Sequence, residues 1–334
     1  MTTNGDDAAK VVPVRHYGRW VGVVVVVVLI AMFVHTLFTR PSFTVLTCST
    51  HHAVRTCQHE WRFGWDYVGR YFTSSEIIDG LLRTLELTII AMAMGISIGV
   101  VIAIMRRSES RLLSSTAWTY TWFFRGTPVL VQLEFWFAFN ALYPSMSVGI
   151  PFTHVTFFVV NVGTTITAFG SACIAFGLNE GAYFSEIVRA GLLAIDEGQT
   201  EAAISIGMTR GQSLRLIVLP QAMRVILPPT GNEVISMLKT TSLASSVGVI
   251  ELLGAANLIS AANYKTIFLL ITASLWYLIV TTILSIGQFY LERHFAKGAL
   301  RNPPPTPIQR VREDLAGIAA KFHTKRFADA GAPR

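Results

Sequence analysis

The sequence predicts an all-α fold: a polytopic transmembrane helix bundle of about six spans. Three observations carry that expectation. Of 334 residues, 52% are hydrophobic and 14% charged, with a positive mean hydropathy, whereas soluble domains carry about 25% charged residues. Apolar runs recur at 20–38, 80–105, 126–143, 163–190, 222–241 and 266–290. Each approaches the ~20 residues needed to cross ~30 Å of hydrocarbon at ~1.5 Å per residue. The net charge of +7 gathers in short connectors and the C-terminal tail. That is the bias that orients membrane proteins with basic loops inside, and it points away from a nucleic-acid partner.

Taken in order, residues 1–19 form a cytoplasmic tail bearing Lys10, Arg15 and Arg19. The apolar run 20–38 is long enough to span, and no small-residue cleavage site follows it. It therefore reads as a retained transmembrane helix, not a signal peptide. The connector 39–79 is extracytoplasmic and holds Cys48 and Cys57. In an oxidising compartment these two could pair, or stay as free thiols; both readings stand. Cys173 sits in an apolar run and reads as packing. His51, His52 and His59 could hold a metal, but three loop histidines usually do not, and none is expected. The transmembrane domain proper covers 80–294. Its connector 106–125 carries Arg106, Arg107, Arg111 and Arg125, on the same side as a polar loop at 194–220. Short apolar stretches at 150–162 and 243–262 read as re-entrant or interfacial pieces. The connector 39–79 weakens the charge asymmetry with Arg40, Arg55, Arg62 and Arg70. From 295 to 334, Pro303-Pro304-Pro305 and mixed charges predict a mobile cytoplasmic tail. Both termini are placed inside.

The polar loop is the most specific segment. Glu201-Ala202-Ala203 is followed by Gly207, Ile217, Leu219 and Pro220. Upstream runs Gly181-Ala182-Tyr183-Phe184-Ser185-Glu186-Ile187-Val188-Arg189. Downstream come Leu227-Pro228-Pro229, Gly231-Asn232 and Lys239-Thr240-Thr241-Ser242-Leu243-Ala244. From the residues alone, 194–215 reads as two short helices meeting near Gly207, at a tight turn that a Cβ would obstruct. Pro220 would begin the next helix, where its missing N–H costs nothing.

This pattern resembles the EAA loop by which permeases of ATP-binding cassette (ABC) importers dock on their ATPase. The flanks resemble polar amino-acid permeases of the histidine, glutamine and arginine type. The resemblance runs from about Gly80 to His294. It implies a type I importer fold, with five core helices after one added N-terminal helix. It also implies a second permease subunit, an ABC ATPase dimer gripping the loop, and an extracytoplasmic solute-binding protein. The substrate would be a polar amino acid carried across the cytoplasmic membrane of a prokaryote. No cofactor is expected in this chain, since ATP and Mg would bind the partner ATPase. Arg125-Gly126-Thr127-Pro128 resembles the segment that opens the second core helix of these permeases. Gly126 and Pro128 there read as structural, letting an interfacial helix turn into the membrane.

Polar groups inside spans are costly unless they face protein or water, which makes them pathway candidates. Those singled out are Gln132, Glu134, Asn140, Asn179, Glu180, Glu186 and Lys239, and also Asn232 and Glu233, which could equally cap or bridge helices. Gln132 and Glu134 lie about 200° apart around a helix and cannot share a cavity; Gln132 and Asn140, about 80° apart, nearly can. Glu186 and Arg189 are spaced to pair with each other. Glu134 and Glu180 depart from the family pattern, and two extra carboxylates favour a cationic amino acid. Lys239-Thr240-Thr241-Ser242 ends a span. The resemblance places it at an outer gate, while the residues alone read equally as a snorkelling lysine with hydroxyl caps.

No phosphate-binding Gly-x-x-x-x-Gly-Lys-Ser/Thr loop and no His-Glu-x-x-His motif occurs. The chain is therefore not expected to be an enzyme, and energy for uphill transport must come from another chain. The alternative is an ion-coupled secondary transporter relaying protons through Glu134, Glu180 or Glu186. That would call for paired broken helices in two halves, and no internal repeat is visible. An intramembrane enzyme fits less well, with the histidines mostly outside the spans, and the loop pattern belongs with importers and not exporters.

Overall fold

The computed structural model describes residues 17–38, 45–51, 54–60, 65–142, 145–149, 156–161 and 167–296. Expectations for 1–16 and for the tail beyond 296 fall outside the described residues. Residues 1–70 and 71–334 form two compact units.

The first unit opens with α1 (Tyr17–Phe38), 22 residues that would reach roughly 33 Å. Its valine run from Val24 to Val28 is exposed, as a lipid-facing surface requires. The connector that follows is not featureless. β1 (Val45–His51) and β2 (Val54–Glu60) pair antiparallel, ahead of a short amphipathic helix, α2 (Trp65–Phe72). β-branched residues at Val45, Thr47, Thr50, Val54 and Thr56 favour the pleated backbone.

The second unit is a helix bundle: α3 (Ser75–Arg106), α4 (Arg111–Gly126), α5 (Val129–Leu142), α6 (Ala168–Leu193), α7 (Glu197–Ser205), α8 (Arg210–Ser213), α9 (Leu219–Thr240), α10 (Leu252–Asn263) and α11 (Thr266–Ala296). A second antiparallel hairpin, β3 (Ser145–Gly149) with β4 (Thr156–Asn161), joins the sequence between α5 and α6. The predominantly helical bundle thus carries two short hairpins in its connectors. The 150–162 stretch supplies a strand because Thr156-Phe157-Phe158-Val159-Val160 is aromatic and β-branched. Helix α5 is shorter than the expected 126–143 span. Its 14 residues cover only about 21 Å, because Pro128 forces the chain before it out of helical geometry.

Helices α3 and α6 form the densest contact and run parallel. A Cβ on Gly95 would lie 2.4 Å from Glu180 Cγ, and one on Gly99 would lie 2.9 Å from Phe184 Cβ. From the other side, Gly177 meets Met94 and Gly181 meets Ile98. Each helix thus carries a Gly-x-x-x-Gly pair that lets the two backbones close together, the usual route to tight packing in lipid. Phe176, Leu87, Leu133 and Met237 fill the core beside this seam.

The 243–262 stretch, expected as a re-entrant or interfacial piece, bends by 43° after Val247 and packs into the core. Leu252, Ala255 and Ala256 are buried against Ile77, Leu81 and Leu269. At its start Glu251, fully buried, caps α10 by accepting from the N–H groups of Leu253 (2.9 Å) and Gly254 (2.7 Å). The same carboxylate accepts from Tyr277 Oη of α11 at 3.0 Å and Thr84 Oγ1 of α3 at 3.4 Å. One side chain therefore ties three helices. The outer face of α11, with Ile267, Leu278 and Ile283 exposed, is the apolar surface a bilayer would cover.

Candidate functional site

Two places combine chemistry with unusual local structure: the loop between α6 and α9, and a cavity higher in the same two helices. The loop is built by short-range hydrogen bonds. Asp196 caps α7 by accepting from Gly198 N–H at 2.8 Å. The far end of α7 closes on Gly207, whose φ of +88° lies in the left-handed region. Gly207 N–H donates to Ile204 O at 2.9 Å and Met208 N–H to Ala203 O at 3.0 Å. That pair of bonds is a Schellman motif, which favours glycine at the left-handed position. A Cβ there would meet nothing within 4 Å. The requirement for glycine therefore comes from the backbone conformation and not from crowding, which amends the expected obstruction.

Thr209 and Gln212 then form a capping box that starts α8. The expected second short helix is not separate. Arg210 to Val247 is continuous, passing through a π-type turn at Leu214–Val218, where Leu219 N–H donates to Leu214 O. Pro220 accordingly does not open a helix after a break. It follows that wide turn, which loosens the backbone where its ring would otherwise press on the preceding carbonyl. Ala203 is buried, whereas Glu201 and Ala202 are exposed and Ile206 is 78% exposed. Ile217 is half-buried, and Leu219 and Pro220 are exposed. With Ile204, Leu214 and Leu216 also exposed, the loop is a small knob with an unpartnered apolar surface.

The cavity, about 570 Å³, is lined by α4–α5 residues Arg125 to Val129, by Asn179, Glu180 and Tyr183 of α6, and by Glu233, Ser236, Met237 and Thr240 of α9. Glu180 is only 3% exposed, and its Oε1 has no hydrogen-bond partner among the described residues. Gly95 leaves the room its methylenes occupy. Arg125 lies over the Tyr183 ring at 5.2 Å, so a fixed cation stands on the same wall system as two carboxylates.

Gln132 and Asn179, both pathway candidates from the sequence, make structural bonds, and Asn179 also lines the cavity. Thr127 is extended, and α4 stops before Pro128. Gln132 Nε2 bonds Phe124 O (3.0 Å), Thr127 O (3.1 Å) and Thr127 Oγ1 (2.7 Å). Asn179 Nδ2 donates to Phe124 O at 2.8 Å and to Gln132 Oε1 at 3.2 Å. The two amides satisfy the carbonyls orphaned at the α4–α5 break and lock it to α6. Gly126 and Pro128 lie at this break, along the cavity rim.

The remaining candidates lie elsewhere. Glu134 is exposed on the far side of α5 from Gln132 and does not line the cavity. Glu186 is engaged by Arg189 at 2.6 Å, as its spacing suggested. Lys239 is exposed and outside the lining. The side chain of Asn140 is outside the described residues. Glu233, which the sequence placed among the polar groups inside spans and equally as a cap or bridge, lines the same cavity as Glu180. Arg125 and Tyr183 were read within motifs and not as cavity walls. No local signal marks any of the three, because the cavity draws on segments more than fifty residues apart.

With this geometry in view, comparison with known proteins gives a consistent result. Residues 95–297 match the family of binding-protein-dependent transport system inner membrane components. The arginine transport system permease ArgU of Corynebacterium glutamicum is 39% identical over 290 residues, 86% of this chain and 84% of that protein. The L-cystine transport system permease TcyB of Bacillus subtilis is 39% identical over 230 residues, 69% of this chain and 90% of that protein. In three dimensions, the chain resembles a solved amino acid ABC transporter crystallised with histidines. There the TM-score is 0.59 at 33% identity, covering 69% of this chain and 98% of that one. The helical bundle, its capped loop and these matches agree: the chain belongs to the binding-protein-dependent transport inner membrane family, the membrane permeases of ABC importers.

Proposed function

We propose that this chain carries a polar amino acid through the cavity between α4–α5, α6 and α9, with a cationic amino acid preferred. The observation that supports this most is the pairing of Glu180 and Glu233 on one cavity with Arg125. A cationic amino acid presents one carboxylate and two cationic groups. Arg125 is the natural partner for the first, and the two glutamates for the others. The unpartnered Oε1 of buried Glu180 is an acceptor that a cationic donor would satisfy, and an unpaired buried carboxylate is costly. The long match to an arginine permease fits the same reading. The carboxylate pair differs from the one expected, with Glu233 in place of Glu134.

The 194–220 loop is proposed as the docking element for a pair of ATPase subunits on the cytoplasmic side. Both flanking helices lead from the loop to the cavity: α6 through Tyr183, Glu180 and Asn179, and α9 through Glu233, Ser236 and Thr240. Because Arg210–Val247 is one helical run, a push at the loop can travel roughly 35 Å to Glu233 along it, through the π-type turn at Leu214–Val218 and past Pro228-Pro229. Gly191 against Ile226 keeps the two helices in register near the loop. ATP binding by the partner would then favour one packed arrangement of α6 and α9 over the other. A second permease subunit and an extracytoplasmic binding protein complete the assembly.

The test is uptake competition in cells or proteoliposomes holding the complete transporter. Arginine and lysine should compete strongly, glutamine weakly and glutamate least. Glu233→Gln should weaken arginine transport at least tenfold more than glutamine transport. Glutamate outcompeting all others would defeat the assignment.

A further inference from the structure

The two cysteines outside the bundle occupy directly opposed positions in the first hairpin: Cys48 pairs with Cys57 in the β1–β2 register. The pair that closes the hairpin is His51 with Val54, two residues apart across the turn. A two-residue connection is closed by a hydrogen-bonded pair, and pairs alternate outward from it. His51–Val54 and Ser49–Thr56 then exchange hydrogen bonds, while Thr50–Arg55 and Cys48–Cys57 are non-hydrogen-bonded. In pairs of that second kind the Cα atoms come to about 4.5 Å, the closest approach in a ladder. Disulfides need Cα separations of about 4.4–6.8 Å. By register, Cys48 and Cys57 hold the pair type whose Cα atoms come closest.

The hairpin also needs help that its backbone does not supply. An isolated two-stranded hairpin is marginal in water, and among the described residues β1–β2 is a two-stranded sheet. We propose that Cys48 and Cys57 form an intrachain disulfide that staples the β1–β2 hairpin on the extracytoplasmic side.

The compartment follows from the fold together with the cytoplasmic placement of the coupling loop, a reading on which this proposal rests. Helices α3 and α6 run parallel, so Arg106 at the end of α3 lies on the same side as the loop that follows Leu193. The start of α3 at Ser75 is therefore on the opposite side. Between the hairpin and Ser75, residues 61–74 carry Arg62, Asp66 and Arg70 and no apolar run. Nothing in that segment can cross a bilayer, so the hairpin shares the side of Ser75. On that side disulfides persist. Oxidation would come from a disulfide-bearing oxidoreductase. One cysteine thiolate attacks that disulfide, and the second cysteine then displaces the enzyme's thiol. The S–S bond of the chain forms as the oxidant's breaks, and two electrons and two protons leave with the reduced dithiol.

The test uses the full chain in native membranes. Free thiols are blocked with N-ethylmaleimide during lysis, the sample is reduced, and newly exposed thiols are tagged with a maleimide–polyethylene glycol. Two tags should appear only after reduction, and C48S or C57S should abolish both. Absence of tags after reduction, or a covalent dimer on a non-reducing gel, would overturn the intrachain staple. In parallel, C48S cells are treated with a membrane-impermeant maleimide, and Cys57 should label from outside. Outside labelling with no reducible pair in the wild type would refute the staple and leave the orientation standing. Labelling only after permeabilisation would overturn the orientation and the staple together.

Discussion

The proposed coupling loop and the cavity lie on the same two helices, yet they are held in opposite ways. The bonds that close the loop's turns are local: Asp196 to Gly198, Ala203 and Ile204 to Met208 and Gly207, Thr209 to Gln212, with the weak Gln221 to Gln199 bond at 3.4 Å reaching farther. The cavity and its supports are held across long sequence distances. Phe124 bonds Asn179, Gly95 makes room for Glu180, and Thr84 meets Glu251. A locally closed loop can keep its shape while it is pushed, as a lever must. A cavity assembled from distant segments changes shape when those segments shift, as alternating access requires. Breaking one kind of contact should therefore leave a different signature from breaking the other.

The largest effect is expected at the junction farthest from being local. Glu251→Ala would leave the α10 N–H groups of Leu253 and Gly254 unpaired and release Tyr277 and Thr84. We expect a loss of about 3 kcal/mol or more, seen as a large fall in thermal midpoint in detergent. An unchanged midpoint would mean that α10 needs no cap. Next comes Gly95→Ala. The new methyl would sit on Glu180, so overpacking of about 1–3 kcal/mol is expected, together with impaired arginine uptake. Glu180→Ala should relieve the packing defect but not restore uptake. If the double mutant is as unstable as the sum of the singles, the contact is not what matters.

Smaller effects should come from the loop, and they should be functional before they are structural. Gly207→Val forces a β-branched residue into the left-handed region at a cost of roughly 1–2 kcal/mol. Uptake and ATPase association should fall while the bundle's thermal midpoint barely moves. Thr209→Ala removes one half of the capping box and should cost about 1 kcal/mol, locally, readable as faster amide exchange in α8. Equal losses of midpoint for the loop and Glu251 variants would erase the contrast between the two regions.

The same contrast explains what was legible beforehand. The loop announced itself because its spacing, from Glu201 to Pro220, is a property of consecutive residues. The left-handed turn at Gly207 could be anticipated for the same reason. Glu180 and Glu233 were visible only as polar groups in apolar runs; nothing in either segment says they face each other. Glu251 went unnoticed because its partners lie on α3 and α11. The Gly-x-x-x-Gly pairs at Gly95–Gly99 and Gly177–Gly181 were a readable signal for the α3–α6 seam that spacing alone would have supplied. The strands at 145–149 and 156–161 were missed because short apolar runs look alike as helix or strand until a pairing partner is known. Pro220 misled for a physical reason too: a π-type turn can carry a proline through a helix that a regular turn would break.

The most direct test is ATP-driven uptake by the reconstituted transporter, comparing wild type with Gly207→Val. Arginine accumulation should require ATP and the ATPase subunits, survive collapse of the proton gradient, and drop sharply in the folded Gly207→Val protein. Accumulation by the chain without any ATPase, or uptake that vanishes with the proton gradient, would contradict a lever running from the loop to the cavity.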